Sequence, residues 1–393
     1  MEKITFCIPS KSNLRYLKTC IISLRTWCYR NDHDIIVFVD EDTDGTVKWL
    51  EENAEDYDVT YYVNPYLGEK LYGIGKAYDY CIEKSNTDIC MIFHADMMMG
   101  DNGDLNAYKH LKRGKVVCST RIEPPIHPNA GEKILENYGM WPEEFQDKKF
   151  QDSVTTHQKY NKDKTTTGIF APWMVYKEDI LSIGGHDPRL KSCREDSDLF
   201  NRFKLNGYEL IQSWDSLVYH LTGRGAGSFD GDPERHKAWQ QEMQNSTKEF
   251  IRKWGSSVMH TGMMDPIITP KYDIGFIVPG TNYQLLEVLE PWCNNILIDD
   301  EMQVLTSHYI DEHQSNTSCD LSKKIQTTPF VQDLDNDIVV TIDRHTFNQE
   351  TLQLIQQLPQ IIKNSGEVGE FHLGNLAIKI NSMKEYQQDL VNL

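Results

Sequence analysis

The sequence predicts an α/β protein: an open, mostly parallel sheet with helices on both faces, joined to a second, smaller α/β domain at the carboxyl end. Three observations carry this. Apolar strand-like runs and helical periodicities alternate through the first 100 residues, the rhythm of βαβ units. The same alternation restarts after residue 271. With 393 residues, 39% of them hydrophobic, the chain has material for two cores.

ITFCIP (4–9) reads as a buried strand, and Leu14, Leu17, Ile21 and Leu24 follow at helical spacing, with Ser10 or Ser12 as N-cap. DIIVFVD (34–40) is the next strand, EDTDGT an acidic turn, and TVKWLEEN the start of a second helix. VTYYV (59–63), GIGKAYDYCIEK and DICMIFHAD read as strand, helix and strand. Such a sheet binds ligands at the carboxyl ends of its strands. SKSN (10–13), DEDTD (40–44) and HAD (94–96) fall there.

Residues 101–165 read as polar and irregular. Regularity returns at TTTGIFAPWMVYKEDILSIGG, and REDSDLFNRFKLNGY reads as a helix on which Asp196, Leu199, Phe200 and Phe203 share the inward face. YELIQSW and LVYH are two short strands, TGRGAGSFDGD (222–232) a glycine-rich loop suited to a mobile lid, and Trp239, Met243, Phe250 and Trp254 mark a long helix. The expected division is a first domain over 1–255, a linker over 256–270 and a second domain over 271–393. In the last, DIGFIV, NILID, DIVVTID and FHLGNLAIKI are strand-like, and Leu354, Ile355, Leu358, Ile361 and Ile362 form a helical stripe.

The net charge of −19 argues against nucleic acid and against anionic membranes as partners. Nine cysteines, several inside apolar runs and none in a CxxC pair, suit a reducing compartment and a cytoplasmic location. MEKITFCIPS is too charged for a signal peptide, and no apolar run is long enough to span a membrane.

Three constellations could carry chemistry. Asp96, just past the apolar strand ICMIF, could hold a divalent metal through hard oxygen ligation, or simply cap the next segment. Glu195 and Asp196 open a helix after a Gly-Gly turn; acids in a first turn also complement the helix dipole. His220 ends a strand beside Arg224, whose planar guanidinium suits a phosphate. The GxG at Gly73 is a weak signal without the GxGxxG spacing.

Taken in order, these segments resemble a family 2 glycosyltransferase with the GT-A fold, over about residues 3–225. IPSKSNLRYLKTCIISL is similar to that family's opening strand and helix. VFVDEDTDGT resembles its second strand end, with a turn one residue short, so Asp40 and Asp42 are alternatives for one role. FHAD stands at the family's DxD metal motif, with His94 in place of the first aspartate. GGHDPRLKSCREDSDLFNRFKLNGY resembles its GGFD…ED…L..R…G run.

The resemblance implies a nucleotide-diphosphate sugar donor, most often a UDP-sugar, and a glycan, lipid or protein acceptor. It places Pro9, Ser10, Asp40 or Asp42, Gly73, His94, Glu195 and Arg224 at the donor. It places Asp96 and His220 on Mn²⁺ or Mg²⁺, and Asp196 as general base of an inverting transfer. An imidazole ligand at His94 would favour Mn²⁺. A catalytically silent sugar- or glycan-binding module and a sugar-nucleotide nucleotidyltransferase are the alternatives; SKSNLR lacks the glycines of the latter.

Overall fold

The computed structural model describes residues 1–222, 233–328 and 333–393. Their contacts divide the chain into two units: residues 1–242 with 260–267 and Leu393, and residues 243–259 with 268–392.

The first unit opens with β1 (Thr5–Lys11), α1 (Leu14–Trp27), β2 (Asp34–Glu41), α2 (Thr46–Asn53), β3 (Val59–Val63), α3 (Ile74–Lys84) and β4 (Ile89–Ile92). These strands pair in parallel, β3-β2-β1-β4, with Thr5 opposite Asp34 and Cys90. Their side chains are apolar on both faces because helices cover both sides; Phe6, Ile8, Val37, Phe38 and Ile92 are all buried.

The stretch expected to be irregular is not. It forms β5 (Met97–Met99), α4 (Gly103–Tyr108), the nine-residue β6 (Lys115–Glu123), β7 (Ile134–Leu135), α5 (Asp147–Tyr160) and β8 (Thr165–Thr167). β6 escapes a hydropathy reading because its second half, Ser119, Thr120, Arg121 and Glu123, is polar yet buried. After β9 (Trp173–Tyr176), α6 (Lys177–Ser182) and α7 (Glu195–Leu205) comes β10 (Glu209–His220). It is one strand where the sequence suggested two. Residues 214–216 bulge out between Ser213, opposite Ser119, and Leu217, opposite Thr120.

The complete order is β3-β2-β1-β4-β9-β6-β10-β5, with β7 on β6 and β8 on β10. β9 runs antiparallel to both β4 and β6, so the sheet is mixed beyond its first four strands. β4, β6 and β10 still point the same way, and their carboxyl ends share one edge with those of β1 and β2.

The start of α1 differs from expectation. Neither Ser10 nor Ser12 caps it; Asn13 is the N-cap, and Leu14 N donates to Asp44 Oδ2 at 2.7 Å. Residues 260–267, read as linker, pack on the first unit: Ile169 N donates to Met264 O and Lys204 Nζ to Asp265 Oδ2.

Helix α8 (Pro233–Trp254) leads into the second unit, made of β11 (Ile274–Ile277), α9 (Tyr283–Leu289), β12 (Asn295–Asp299), α10 (Gln303–His313), α11 (Leu321–Lys324), β13 (Ile325–Thr328), β14 (Ile338–Ile342), α12 (Gln349–Ser365), β15 (Gly369–Leu373) and β16 (Leu376–Ile380). Its sheet runs β13-β12-β11-β14-β16-β15, with four parallel strands and an antiparallel hairpin at one edge. Asn348 caps α12 in a reciprocal capping box with Thr351. All nine cysteines are free thiols, so neither unit is held by disulfides. Among the described residues no helix is long and apolar enough to cross a membrane.

Candidate active site

A cavity of about 360 Å³ opens in the first unit along the shared carboxyl edge of the strands. Pro9, Ser10 and Lys11 come from the end of β1, Asp40 from β2, His94 and Asp96 from the turn after β4, and His220 from the last position of β10. A strand end is where a side chain can leave the sheet and still be held rigidly by it, so these positions follow from the topology.

Three side chains converge on one point. One ligand atom each of His94, Asp96 and His220 lies within 4.8 Å of the others. Asp96 and His220 are almost fully buried, and His220 Nε2 is 3.6 Å from Asp96 Oδ1. Burial pushes the His94 imidazole down to about 4, so the ring is neutral near pH 7 and its lone pair is available. Two imidazole nitrogens and a carboxylate oxygen suit a borderline divalent ion such as Mn²⁺ better than Mg²⁺, which prefers all-oxygen shells. The residues therefore fit the metal that the resemblance implied.

Residues 5–181 match the family described as Glycosyl transferase family 2. The match takes in β1 to β9, the strands and loops that carry most of the cavity wall. The sheet is the open α/β sheet the sequence predicts, mixed where a mostly parallel one was expected. No curated protein matches the sequence. Similar solved structures include GalNAc-T7 with UDP, GalNAc and Mn²⁺ (TM-score 0.42, 10% identity, 64% of this chain and 51% of that one). Others are TarS of S. aureus (0.41, 12%, 64% and 44%) and the mannosyltransferase PcManGT of Pyrobaculum calidifontis in complex with GDP-Man and Mn²⁺ (0.43, 16%, 64% and 63%). This chain thus spans between 44% and 63% of the length of each.

Within the matched stretch, the two alternative aspartates of the second strand end separate. Asp40 lies on the cavity wall, where its carboxylate accepts from Tyr72 N, Gly73 N and Asn64 Nδ2 at 2.6, 3.0 and 2.9 Å. Burial raises its pKa against those bonds. It pins the loop before α3. Gly73 has φ of 96°, and a Cβ there would sit 3.1 Å from Lys191 O, which requires glycine. Asp42 accepts from Gly45 N, Thr46 N and Val47 N and so holds the start of α2.

Glu195 and Asp196 reverse the orientation read from the sequence. Leu199, Phe200 and Phe203 are buried as expected, but Glu195, Asp198 and Arg202 are buried with them, and Asp196 is only half-buried. The buried face widens toward Glu195 because Arg202, fully buried, pairs with Asp198 at 2.8 Å and donates to the carbonyls of Ile183 and Gly185. That clamp ties α7 to the Gly-Gly turn. Gly75, the second glycine of the GxG, lets α3 pack against the same turn, since a Cβ there would lie 2.8 Å from His186 Cβ. Burial, then the neighbouring Asp196, push the Glu195 carboxyl up to about 8. Asp196 Oδ1 accepts from Ser197 N at 2.6 Å.

Arg224 and the proposed lid over 222–232 lie, apart from Thr222, outside the described residues; Thr222 lines the cavity. Sequence reasoning missed Tyr78, Phe170, Lys191, Ser192 and Glu242 on the cavity wall. Ser192 Oγ donates to Glu242 Oε2 at 2.5 Å, joining the loop before α7 to α8. No local spacing marks these residues, because they meet only through the tertiary fold.

Proposed function

We propose that this chain is a metal-dependent glycosyltransferase that moves a sugar from a nucleotide-diphosphate sugar, in the first instance a UDP-sugar, to a glycan, lipid or protein acceptor. The observation that carries this reading is the His94, Asp96 and His220 triad on the cavity wall of a domain matched by Glycosyl transferase family 2. Asp40 and Ser10 border the same cavity, where the base and ribose would lie, and Lys11 and Lys191 supply cationic side chains for the diphosphate.

A bound divalent ion supplies charge neutralisation for the departing diphosphate. The chain supplies the rest. His94, Asp96 and His220 would hold the ion; Asp196, in the first turn of α7, would take the proton of the acceptor hydroxyl as that oxygen bonds to the anomeric carbon and the bond to the diphosphate breaks, giving inversion. The net charge of −19 fits an uncharged acceptor better than a polyanion.

Calorimetry with UDP, with and without Mn²⁺, tests the donor reading. Binding should collapse on addition of EDTA and in Asp96→Asn. Metal-independent binding of equal strength overturns it. Donor hydrolysis by the same protein separates an enzyme from a silent sugar-binding module.

A further inference from the structure

We infer that Glu123, the last residue of β6, is a positioning residue for the metal triad: it fixes His220 in the tautomer whose Nε2 lone pair faces Asp96 and His94. This rests on the metal reading above. Glu123 is 97 residues from His220 in sequence and 1% exposed, and its Oε1 lies 2.8 Å from His220 Nδ1. An ionised carboxylate only accepts hydrogen bonds, so Nδ1 is the donor to Glu123 and Nε2 is the nitrogen left to ligate. Nε2 is the atom 3.6 Å from Asp96 Oδ1.

The surroundings keep Glu123 charged and immobile. Arg121 donates to Oε1 at 2.8 Å and Lys133 to Oε2 at 2.9 Å, with both cations more than nine-tenths buried. Arg121 also lies over the Phe170 ring, 3.8 Å from its centroid, and Phe170 lines the cavity. A purely structural Glu123 would need only the two cations. The bond to Nδ1 adds direction, and β6 and β10 are adjacent parallel strands that end together, so the two side chains are held by the sheet itself. A carboxylate behind a ligating histidine sets the ring's orientation and raises its basicity, and losing one weakens metal affinity about 10- to 100-fold.

The test is Mn²⁺ binding by calorimetry to wild type, E123Q and K133M, with the His220 tautomer read by ¹⁵N NMR on metal-free wild type at pH 8. E123Q should lose about 10- to 100-fold in Mn²⁺ affinity. K133M disturbs the same network but keeps the bond to His220, and should bind Mn²⁺ nearly as wild type does. The spectrum should show Nδ1 protonated and Nε2 bare. Equal affinity of E123Q and wild type, an equal loss in K133M, or an Nε2-protonated ring each overturns the positioning role alone. Failure of wild type to bind Mn²⁺ at all overturns the metal reading and the positioning role with it. The NMR measurement needs no variant, so it decides even if E123Q does not fold.

Discussion

Glu195 and Asp196 are adjacent in sequence but sit in different surroundings, and that difference divides the labour between them. Glu195 is 8% exposed, its Oε2 has no hydrogen-bond partner, and its pKa rises from 4.5 to about 8 through burial first and Asp196 second. Between those values the folded state holds a proton that the unfolded state has lost, so this group makes stability fall as pH rises through the window, with the full penalty above about 8. Glu195→Gln mimics the neutral acid. It should therefore melt above wild type at pH 9 and alongside it near pH 4.5, as calorimetric scans would show; a lower melting temperature at pH 9 contradicts a buried neutral Glu195. Near neutral pH Glu195 holds its proton, which is why Asp196 is the residue we propose as the base. Asp196→Asn should cut transfer by about 100-fold or more while leaving UDP affinity unchanged. Near wild-type turnover in that variant removes Asp196 from the chemistry.

Among the elements, α7 shows why the most motif-dense part of the sequence is only partly about catalysis. The apolar positions Leu199, Phe200 and Phe203 are buried as their spacing predicts, but the buried face also takes in Glu195, Asp198 and Arg202. Hydropathy alone does not reveal these polar members. Arg202 can be buried because it finds Asp198 and two backbone carbonyls, which repay its desolvation. Asp198→Asn leaves the guanidinium buried without its counter-charge and should destabilise the first unit by about 3–5 kcal/mol in urea titrations. A loss under 1 kcal/mol would show the carbonyls suffice. The same logic sets what could be read in advance. β1 to β4 were legible because their buried side chains are apolar, and the site was legible where acids and histidines stand at the ends of those strands. β6 was hidden because its buried half is polar, and Glu123 was hidden with it. The cavity residues of α8 and of the loop before α7 meet the strand ends only in three dimensions, beyond the reach of any spacing rule.

At the scale of the whole molecule, the boundary between the units falls inside α8, between Glu242 and Met243, well before the linker read from the sequence. The carboxyl half of that helix belongs to the second unit. Ile251 joins its apolar core, and Arg252 donates to Glu290 Oε1 at 2.9 Å and to Oε2 at 2.5 Å. Glu290 is fully buried, with Lys324 at 2.8 Å and the Tyr309 hydroxyl at 3.2 Å. Burial pulls its pKa up, but Lys324 and Arg252 outweigh it and hold the carboxyl down to about 2. We propose that the second unit folds independently, as a module that positions the acceptor or a partner, provided the end of α8 is retained. A fragment of residues 243–392 should unfold in one cooperative urea transition. One of residues 271–392 lacks Arg252 and Ile251, leaving Glu290 with a single cation, and should be weaker by about 3–5 kcal/mol or fail to fold. The depressed carboxyl adds a pH signature. Its contribution is complete above about 4.5 and is lost as pH falls toward 2, so the longer fragment should lose stability across that range and its Glu290→Gln variant should lose less. Equal stability of the two fragments would place the second core wholly after residue 271, and an acid profile unchanged by Glu290→Gln would mean that the ion cluster is not what the helix end contributes.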